Sequence, residues 1–301
     1  MIQSGVAEQP IWRSLLFIPA HRADFVLKAH LRGADAYVLD LEDSVPDAQK
    51  SHARSSITDS ARTVSQSGAA ALVRINQGLR LAVRDLEACV CPEVQAVVIP
   101  KVRSGDQLQG LTQLIDELEL ELGMNLGHTR LVAQIECVHG LSNLDSIACC
   151  SPRMAGMTLG SEDFSASAGM EPTPETLVAP NQAIVFACRR AGIQPLGFPA
   201  SIADYSDSEQ FKKTVRFARE MGFTGALCIH PRQVSALNDE LIPSAAEVEQ
   251  ASALLAAYEQ GLLEGNAAVA FEGKMIDAPV VARARETLRR SDKAGSGSQR
   301  G

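Results

Sequence analysis

Excess basic charge is the first thing missing from this 301-residue chain: 28 Lys and Arg stand against 36 Asp and Glu, a formal net charge of −8. Neutralising nucleic-acid phosphates takes a basic surface, so a general nucleic-acid binder is excluded, whereas a local cationic pocket for an anionic substrate is not. No run of about 18 apolar residues occurs, which excludes a helical membrane span. Met1 to Trp12 lack a basic region followed by an apolar core, so no signal peptide is expected and a cytoplasmic location is. The seven cysteines are odd in number and contain no CxxC pair. Cys89 with Cys91, and Cys149 with Cys150, read as free or buried thiols of a reducing compartment, not as a zinc or disulfide framework. A glycine-rich nucleotide loop after the first apolar run is also absent, which counts against an open doubly wound sheet.

What is present is a repeated alternation. With 46% hydrophobic residues the chain can build a large core, and short apolar runs alternate with helical stretches with no hairpin signal between them. The runs are Ser14 to Ile18, Ala36 to Leu41, Ala71 to Ile75, Ala96 to Ile99, Arg130 to Glu136, Met154 to Leu159, a weak one at Ile193 to Gly197, and Gly225 to Ile229. The helical pattern is clearest from Asp106 to Leu122, where Leu108, Leu111, Ile115, Leu118 and Leu122 share a face. A polar helix is expected over 47–65, and further helices over 22–31 and 208–221. The segment 164–180, with Glu171-Pro-Thr-Pro-Glu175 inside it, reads as an ordered loop or lid before a helix at 181–191. Eight such units predict an α/β fold, a (β/α)8 TIM barrel over residues 12–240. A C-terminal extension over 245–290, helical with a hairpin-like middle, is too short for its own core and should pack on the barrel or on a neighbouring subunit. Residues 291–301, rich in Gly and Ser, are expected to be a disordered tail.

Chemistry is expected at the C-terminal ends of the strands. Reading those ends in turn collects Asp40, Glu42 and Asp43; Arg74 and Asn76; Lys101; Glu136; Glu162 and Asp163; and His230. Glu136 and the Glu162-Asp163 pair end two successive runs one βα unit apart, an oxygen-rich pair at one rim that suits a hard cation such as Mg²⁺. Arg74 stands inside an otherwise apolar strand, where an unpaired guanidinium is costly, so it either binds an anionic substrate or bridges to Glu42 or Asp43. His230 either meets a ligand or bonds to backbone beside Pro231, and Lys101 either holds a carboxylate substrate or the acids of the second run.

The motifs Arg13-Ser-Leu-Leu-Phe-Ile-Pro19, Leu39-Asp-Leu-Glu-Asp43, Val73-Arg-Ile-Asn76, Ile99-Pro-Lys-Val102, Gln134-Ile-Glu136, Gly160-Ser-Glu-Asp163, Ile229-His-Pro231 and Gly273-Lys-Met-Ile-Asp-Ala-Pro279 resemble, in order, the citrate lyase β-subunit-like branch of the HpcH/HpaI aldolase superfamily. The resemblance implies a Mg²⁺-dependent carbon–carbon lyase acting on a 3-hydroxyacyl thioester of coenzyme A, such as a citramalyl, malyl or citryl thioester. It further implies Glu136 and Asp163 as metal ligands, with Glu42 and Asp43 behind them. Arg74 becomes the residue that binds substrate and steadies the thioester enolate, Ile229 and His230 substrate contacts, and Arg22 and Lys28 contacts for the CoA phosphates. Asp277 matches an acid that relatives insert into a neighbour's site, which implies a homo-oligomer, commonly a trimer. Cys137 and His139 replace a threonine and an arginine usual in relatives, and the Pro19-Ala-His21 turn lacks the common Gly-Asn. Two other functions stay open: a 2-keto acid aldolase acting without CoA, and a non-catalytic or acyl-carrier-protein-dependent lyase subunit.

Overall fold

The structure is a computed structural model and describes residues 11–298 apart from 267, with side chains up to residue 291. The chain divides into two units, Met1–Leu241 and Ile242–Gly301.

In the first unit, β1 (Ser14–Pro19), β2 (Ala36–Asp40), β3 (Ala70–Arg74), β4 (Ala96–Ile99), β5 (Arg130–Ile135), β6 (Met154–Leu159), β7 (Gln194–Leu196) and β8 (Ala226–Cys228) form one parallel sheet in the order β7-β6-β5-β4-β3-β2-β1-β8. A parallel bridge between Leu196 and Gly225 joins the two ends, so the sheet closes on itself. A Cβ at Gly225 would run into the Trp12 carbonyl, and only glycine allows the strands to approach there. The outer ring contains α1 (Ala23–Lys28), α2 (Lys50–Ser55), α3 (Ile57–Val64), α4 (Leu79–Cys89), α5 (Gly105–Glu121), α6 (Val138–Ser142), α7 (Leu144–Ala148), α8 (Ser161–Ala168), α9 (Pro174–Ala191), α10 (Ser208–Met221) and α11 (Pro231–Glu240). This is the expected (β/α)8 barrel.

The period of two along a strand builds two cores from one sheet. One set of residues, including Leu15, Val38, Leu72, Val98, Val132 and Leu227, forms a small cluster of its own in the barrel interior. The alternate residues, among them Leu16, Leu39, Val73, Val97 and Ala133, join the larger cluster under the helices. Two positions beyond an interior filler lies the mouth, so Phe17, Asp40, Arg74 and Gln134 emerge there together.

The helices depart from expectation at two places. Residues 47–65 form a short 3-10 turn, α2 and α3 in place of one helix, and the break falls at Ser56, whose hydroxyl bonds the Ala53 carbonyl and competes with the helical ladder. The expected loop at 164–180 shrinks to 169–173, between the end of α8 and the first turns of α9. Pro174 occupies the first helical position, where its missing N–H costs nothing, and Thr173 and Thr176 form a capping box. Pro180 lies buried within that helix, where the packing of Leu177, Ile184 and Val185 outweighs its poor propensity.

The second unit contains α12 (Ala245–Leu263), an antiparallel hairpin of β9 (Val269–Phe271) and β10 (Lys274–Ile276), and α13 (Ala278–Ser298). Ser244 and Glu247 form a capping box at the start of α12. The hairpin turns at Glu272 and Gly273, both at positive φ, as a two-residue primed turn requires. Helix α13 continues to Ser298 where a disordered tail was expected from residue 291: no proline interrupts the segment, and extending an existing helix costs little beside nucleating one. Residues 299–301 of that expected tail lie outside the described residues. Among the described residues no helix is long and apolar enough to cross a membrane.

Candidate active site

Parallel register sets Asp40 of β2 directly beside Arg74 of β3. The guanidinium takes both carboxylate oxygens as a fork, with Nε to Oδ1 and Nη2 to Oδ2 each at 2.7 Å. Asp40 also accepts the backbone N–H groups of Glu42 and Ser44, each at 3.0 Å. Burial works against the Asp40 charge, but the Arg74 fork and its charge outweigh it, and the carboxyl is held below the usual range. If Arg74 bridges to an acid, the expected partners are Glu42 and Asp43. Glu42 Oε2 approaches Nη1 at 3.4 Å, whereas Asp43 faces Lys101 at 3.8 Å. The primary partner is Asp40, because it shares both the register and the pleat of Arg74. The cation also lies over the Phe17 ring, with Cζ 4.6 Å from the centroid; burial would lower its pKa, and the Asp40, Glu42 and Asp43 carboxylates outweigh that and raise it.

Glu136 follows β5 and is buried. Its Oε2 accepts the backbone N–H of Lys101 at 2.7 Å. Lys101 makes that contact from a left-handed backbone, φ 52°, which is unfavourable for a residue with a Cβ. Its ammonium meanwhile reaches Glu42 Oε1 at 3.1 Å. On the other side, a Cβ at Gly160 would stand 2.6 Å from Glu136 Cγ and 2.7 Å from Oε1, so glycine is required for the carboxyl to lie there. Burial, then the charges of Glu42 and Asp163, push the Glu136 carboxyl up to about 8. Burial likewise raises the pKa of Glu42, whose Oε2 is buried without a hydrogen-bond donor.

Arg74, Glu136, Asp163 and Ile229 all line one pocket of about 260 Å³ at the barrel mouth, with Asp40, Gln134, Thr158, Glu162 and Ile202 also in its wall. Asp163 lies in the first turn of α8, where the helix dipole favours an anion. Glu162 accepts the Ser201 hydroxyl at 2.6 Å. Among the described residues no cluster of three or more His, Cys, Asp or Glu side chains forms a cage for an ion. Mg²⁺ does not need one: one or two carboxylates suffice, with water and substrate completing six oxygens. A desolvated Glu136 carboxyl crowded by two other acids, Glu42 and Asp163, is a donor set that such a cation fits.

Other expected residues stand elsewhere. His230 does not line the pocket. It caps α11, its Nδ1 accepting the Arg232 N–H at 3.1 Å, and its ring stacks on Tyr205 with centroids 4.5 Å apart. Arg22 is exposed on the turn into α1, forked onto Asp24 at 2.9 Å and over the Phe25 ring, and Lys28 is exposed at the end of the same helix. Asn76 is tied to buried Asp85. Asp277, in the second unit, is exposed and caps α13, its Oδ1 accepting the Val280 N–H at 3.4 Å. Sequence reasoning gave no role to Asp40 or Ser201 and did not place Phe17 at the site. The signal for Asp40 was its position two residues past an interior Val38.

Comparison with known proteins gives this arrangement a context. The family model for HpcH/HpaI aldolase/citrate lyase matches residues 13–231. The chain belongs to this family. It is 31% identical to the citrate lyase subunit beta of Leuconostoc mesenteroides subsp. cremoris over 281 residues, which cover 92% of each chain. It is also 31% identical to the L-malyl-CoA/beta-methylmalyl-CoA lyase of Rhodobacter capsulatus, covering 94% of this chain and 95% of that one. The crystal structure of CitE from Mycobacterium tuberculosis in complex with magnesium, acetoacetate and coenzyme A superposes with a TM-score of 0.74 at 28% identity, covering 95% of this chain and 99% of that chain. The HpcH/HpaI chain described here therefore sits in the citrate lyase β-like branch and is a lyase.

Proposed function

We propose that this lyase cleaves, or in reverse forms by Claisen-type condensation, the C2–C3 bond of a 3-hydroxyacyl-CoA thioester, with Mg²⁺ held by Glu136 and Asp163. The observation that carries the reading is the immobilised Arg74 fork in the same 260 Å³ pocket as the buried Glu136 and the helix-borne Asp163. The names of the relatives, a citrate lyase subunit and a malyl-CoA lyase, support the substrate class.

Bound Mg²⁺ supplies Lewis acidity to the substrate's hydroxyl and carboxylate oxygens. The rest falls to the chain's own residues. As the C2–C3 bond breaks, the C3 hydroxyl gives up its proton to solvent and becomes the keto oxygen, the electron pair of the broken bond enters the thioester carbonyl, and a fixed cation near that oxygen stabilises the enolate. Arg74 suits this role because Asp40 occupies Nε and Nη2 and leaves donors on the guanidinium for a ligand. Glu42 and Lys101 hold the ends of this network, Glu42 beside Nη1 and Lys101 through its backbone on Glu136. Ile229 lies on the apolar wall, His230 stands next to it, and Arg22 and Lys28 are the assigned contacts for the CoA phosphates. Protonation of the enolate carbon needs an acid, and Asp277 is our candidate, contributed by a neighbouring copy in a homo-oligomer such as a trimer.

The test is turnover of purified protein with Mg²⁺ against malyl-CoA, citramalyl-CoA and citryl-CoA, following thioester and keto-acid products. Cleavage of one of them supports the reading, and release of pyruvate from CoA-free 2-keto acid aldols in its place would overturn it. The relatives named as subunits favour a second reading, a lyase subunit that acts on a carrier-bound thioester. That reading predicts cleavage only when the acyl group is on an acyl carrier protein.

A further inference from the structure

One buried polar side chain outside the described chemistry ties the barrel mouth together. Gln233, in the first turn of α11, is 1% exposed. Its Oε1 accepts the backbone N–H groups of Ile229 and His230 at 3.0 and 3.1 Å. Its Nε2 donates to the Ile202 carbonyl at 3.2 Å. A single amide thus fastens the turn after β8 to the loop after β7. That loop is fastened in turn to the segment after β6: the Ile202 N–H bonds Ser161 Oγ at 3.4 Å, and Ser201 Oγ bonds Glu162 Oε1 at 2.6 Å. Tyr205, stacked on His230, adds a second contact between the same loop and turn.

We infer that Gln233 is a positioning residue that sets the apolar wall of the acyl pocket by holding Ile202 against Ile229. Both isoleucines line the pocket and Gln233 does not, so it acts through them. The two ends of the amide do different work. The acceptor end satisfies two backbone donors of its own turn, which is a local capping role. The donor end reaches 31 residues away in sequence to a loop that has no strand or helix between Leu196 and Ser208 to stiffen it. Substrate fit should depend on that second end, because the loop's reach decides how close Ile202 stands to the acyl group. The arrangement acts on binding of the substrate and leaves Arg74, Glu136 and Asp163 in place, so it affects KM more than kcat. This inference rests on the proposed thioester reaction for its kinetic arm only.

Gln233→Glu separates the two ends, since a carboxylate keeps the acceptor and loses the donor. Amide hydrogen exchange of the ligand-free protein, followed on peptides covering 197–207 and 226–232, reads the structural arm without any substrate. Loss of one net hydrogen bond should speed exchange in 197–207 by roughly five- to tenfold and leave 226–232 and β1 to β4 unchanged. With the thioester that is turned over, KM should rise by a similar factor with kcat altered less than about twofold. Gln233→Leu removes both ends and should loosen both peptides. If that variant does not fold, Gln233→Glu decides alone. Unchanged exchange in 197–207 for Gln233→Glu, or a fall in kcat at constant KM, would overturn the inference. If no thioester is turned over by wild type, the proposed function fails, while the exchange result still decides Gln233.

Discussion

Replacing Arg74 with lysine keeps the charge and removes the fork. The native guanidinium makes two 2.7 Å bonds to Asp40, approaches Glu42 at 3.4 Å and lies on Phe17. One ammonium cannot span both Asp40 oxygens and still present a donor to a thioester oxygen. Loss of a single preorganised donor to a developing oxyanion costs about 100- to 1,000-fold in kcat, and that is the fall expected of Arg74→Lys, with KM changed less. The fold should feel the change too. Asp40 is 1% exposed, and losing one of two charge-assisted bonds costs about 1.5–3 kcal/mol, a drop of about 3–10 °C in Tm for a chain of this size. The pH dependence has a definite sign. Because Arg74 holds Asp40 below its ordinary pKa, the pair stabilises the fold above the unfolded carboxyl value and that stability is lost as pH falls through the depressed one. In Arg74→Lys the depression is smaller, so acid unfolding begins at higher pH. Steady-state kinetics and scanning calorimetry from pH 3 to 8 read both effects. A variant with near-normal kcat and an acid limb superimposed on wild type would show that the fork serves neither chemistry nor the buried acid.

Gly160→Ala should displace Glu136, since the added Cβ would stand 2.6 Å from its Cγ; we expect a fall in Mg²⁺-dependent turnover of at least about 10-fold, comparable to losing support for a metal ligand, and unaltered turnover would show that the carboxyl can lie elsewhere. Glu136, raised to about 8 by burial and neighbouring acids, is neutral in the metal-free fold near neutrality. Its contribution to stability is therefore present below the unfolded value of about 4.3 and is lost as pH rises through 8. Metal-free Glu136→Gln should lose less Tm than wild type between pH 6 and 9, and parallel curves would contradict the shift. Mixing Asp277→Asn with Arg74→Ala protomers should restore part of the activity if Asp277 serves a neighbouring copy; verified mixed oligomers without activity would refute the shared site.

The barrel was legible because its strands are short apolar runs stopped by polar or proline residues. β4 was expected and found at Ala96–Ile99. β7, only Gln194–Leu196 with a proline inside, gave the faintest signal, and its place is set by the ladder to β6 and the bridge to Gly225, long-range contacts that no local pattern encodes. Prolines misled the reading of 164–180, since Pro174 begins α9 and Pro180 is buried within it. Within the pocket, Arg74 and Glu136 stood out as ionisable groups at the ends of apolar strands. Asp40 was collected at the rim but without its role, which comes from inter-strand register with Arg74. His230 drew attention as chemistry, although its spacing to Gln233 is that of a capping box. The contacts of Gln233 with Ile202 and of Ser201 with Glu162 join segments distant in sequence, and nothing in the local sequence signals either one.

The proposed reaction requires Glu136 and Asp163 together to hold the cation. Mn²⁺ shares the preference of Mg²⁺ for octahedral oxygen, and the free ion is counted directly by electron paramagnetic resonance. Titrating chelator-treated wild type, Glu136→Gln and Asp163→Asn with Mn²⁺ at a pH above 8, then displacing it with Mg²⁺, measures the site without reference to any substrate. One site per chain is expected in wild type, exchangeable with Mg²⁺, with a loss of affinity in each variant greater than the roughly 100-fold that removing an outer supporting group costs. Wild-type affinity in either variant, with the fold intact, would contradict it.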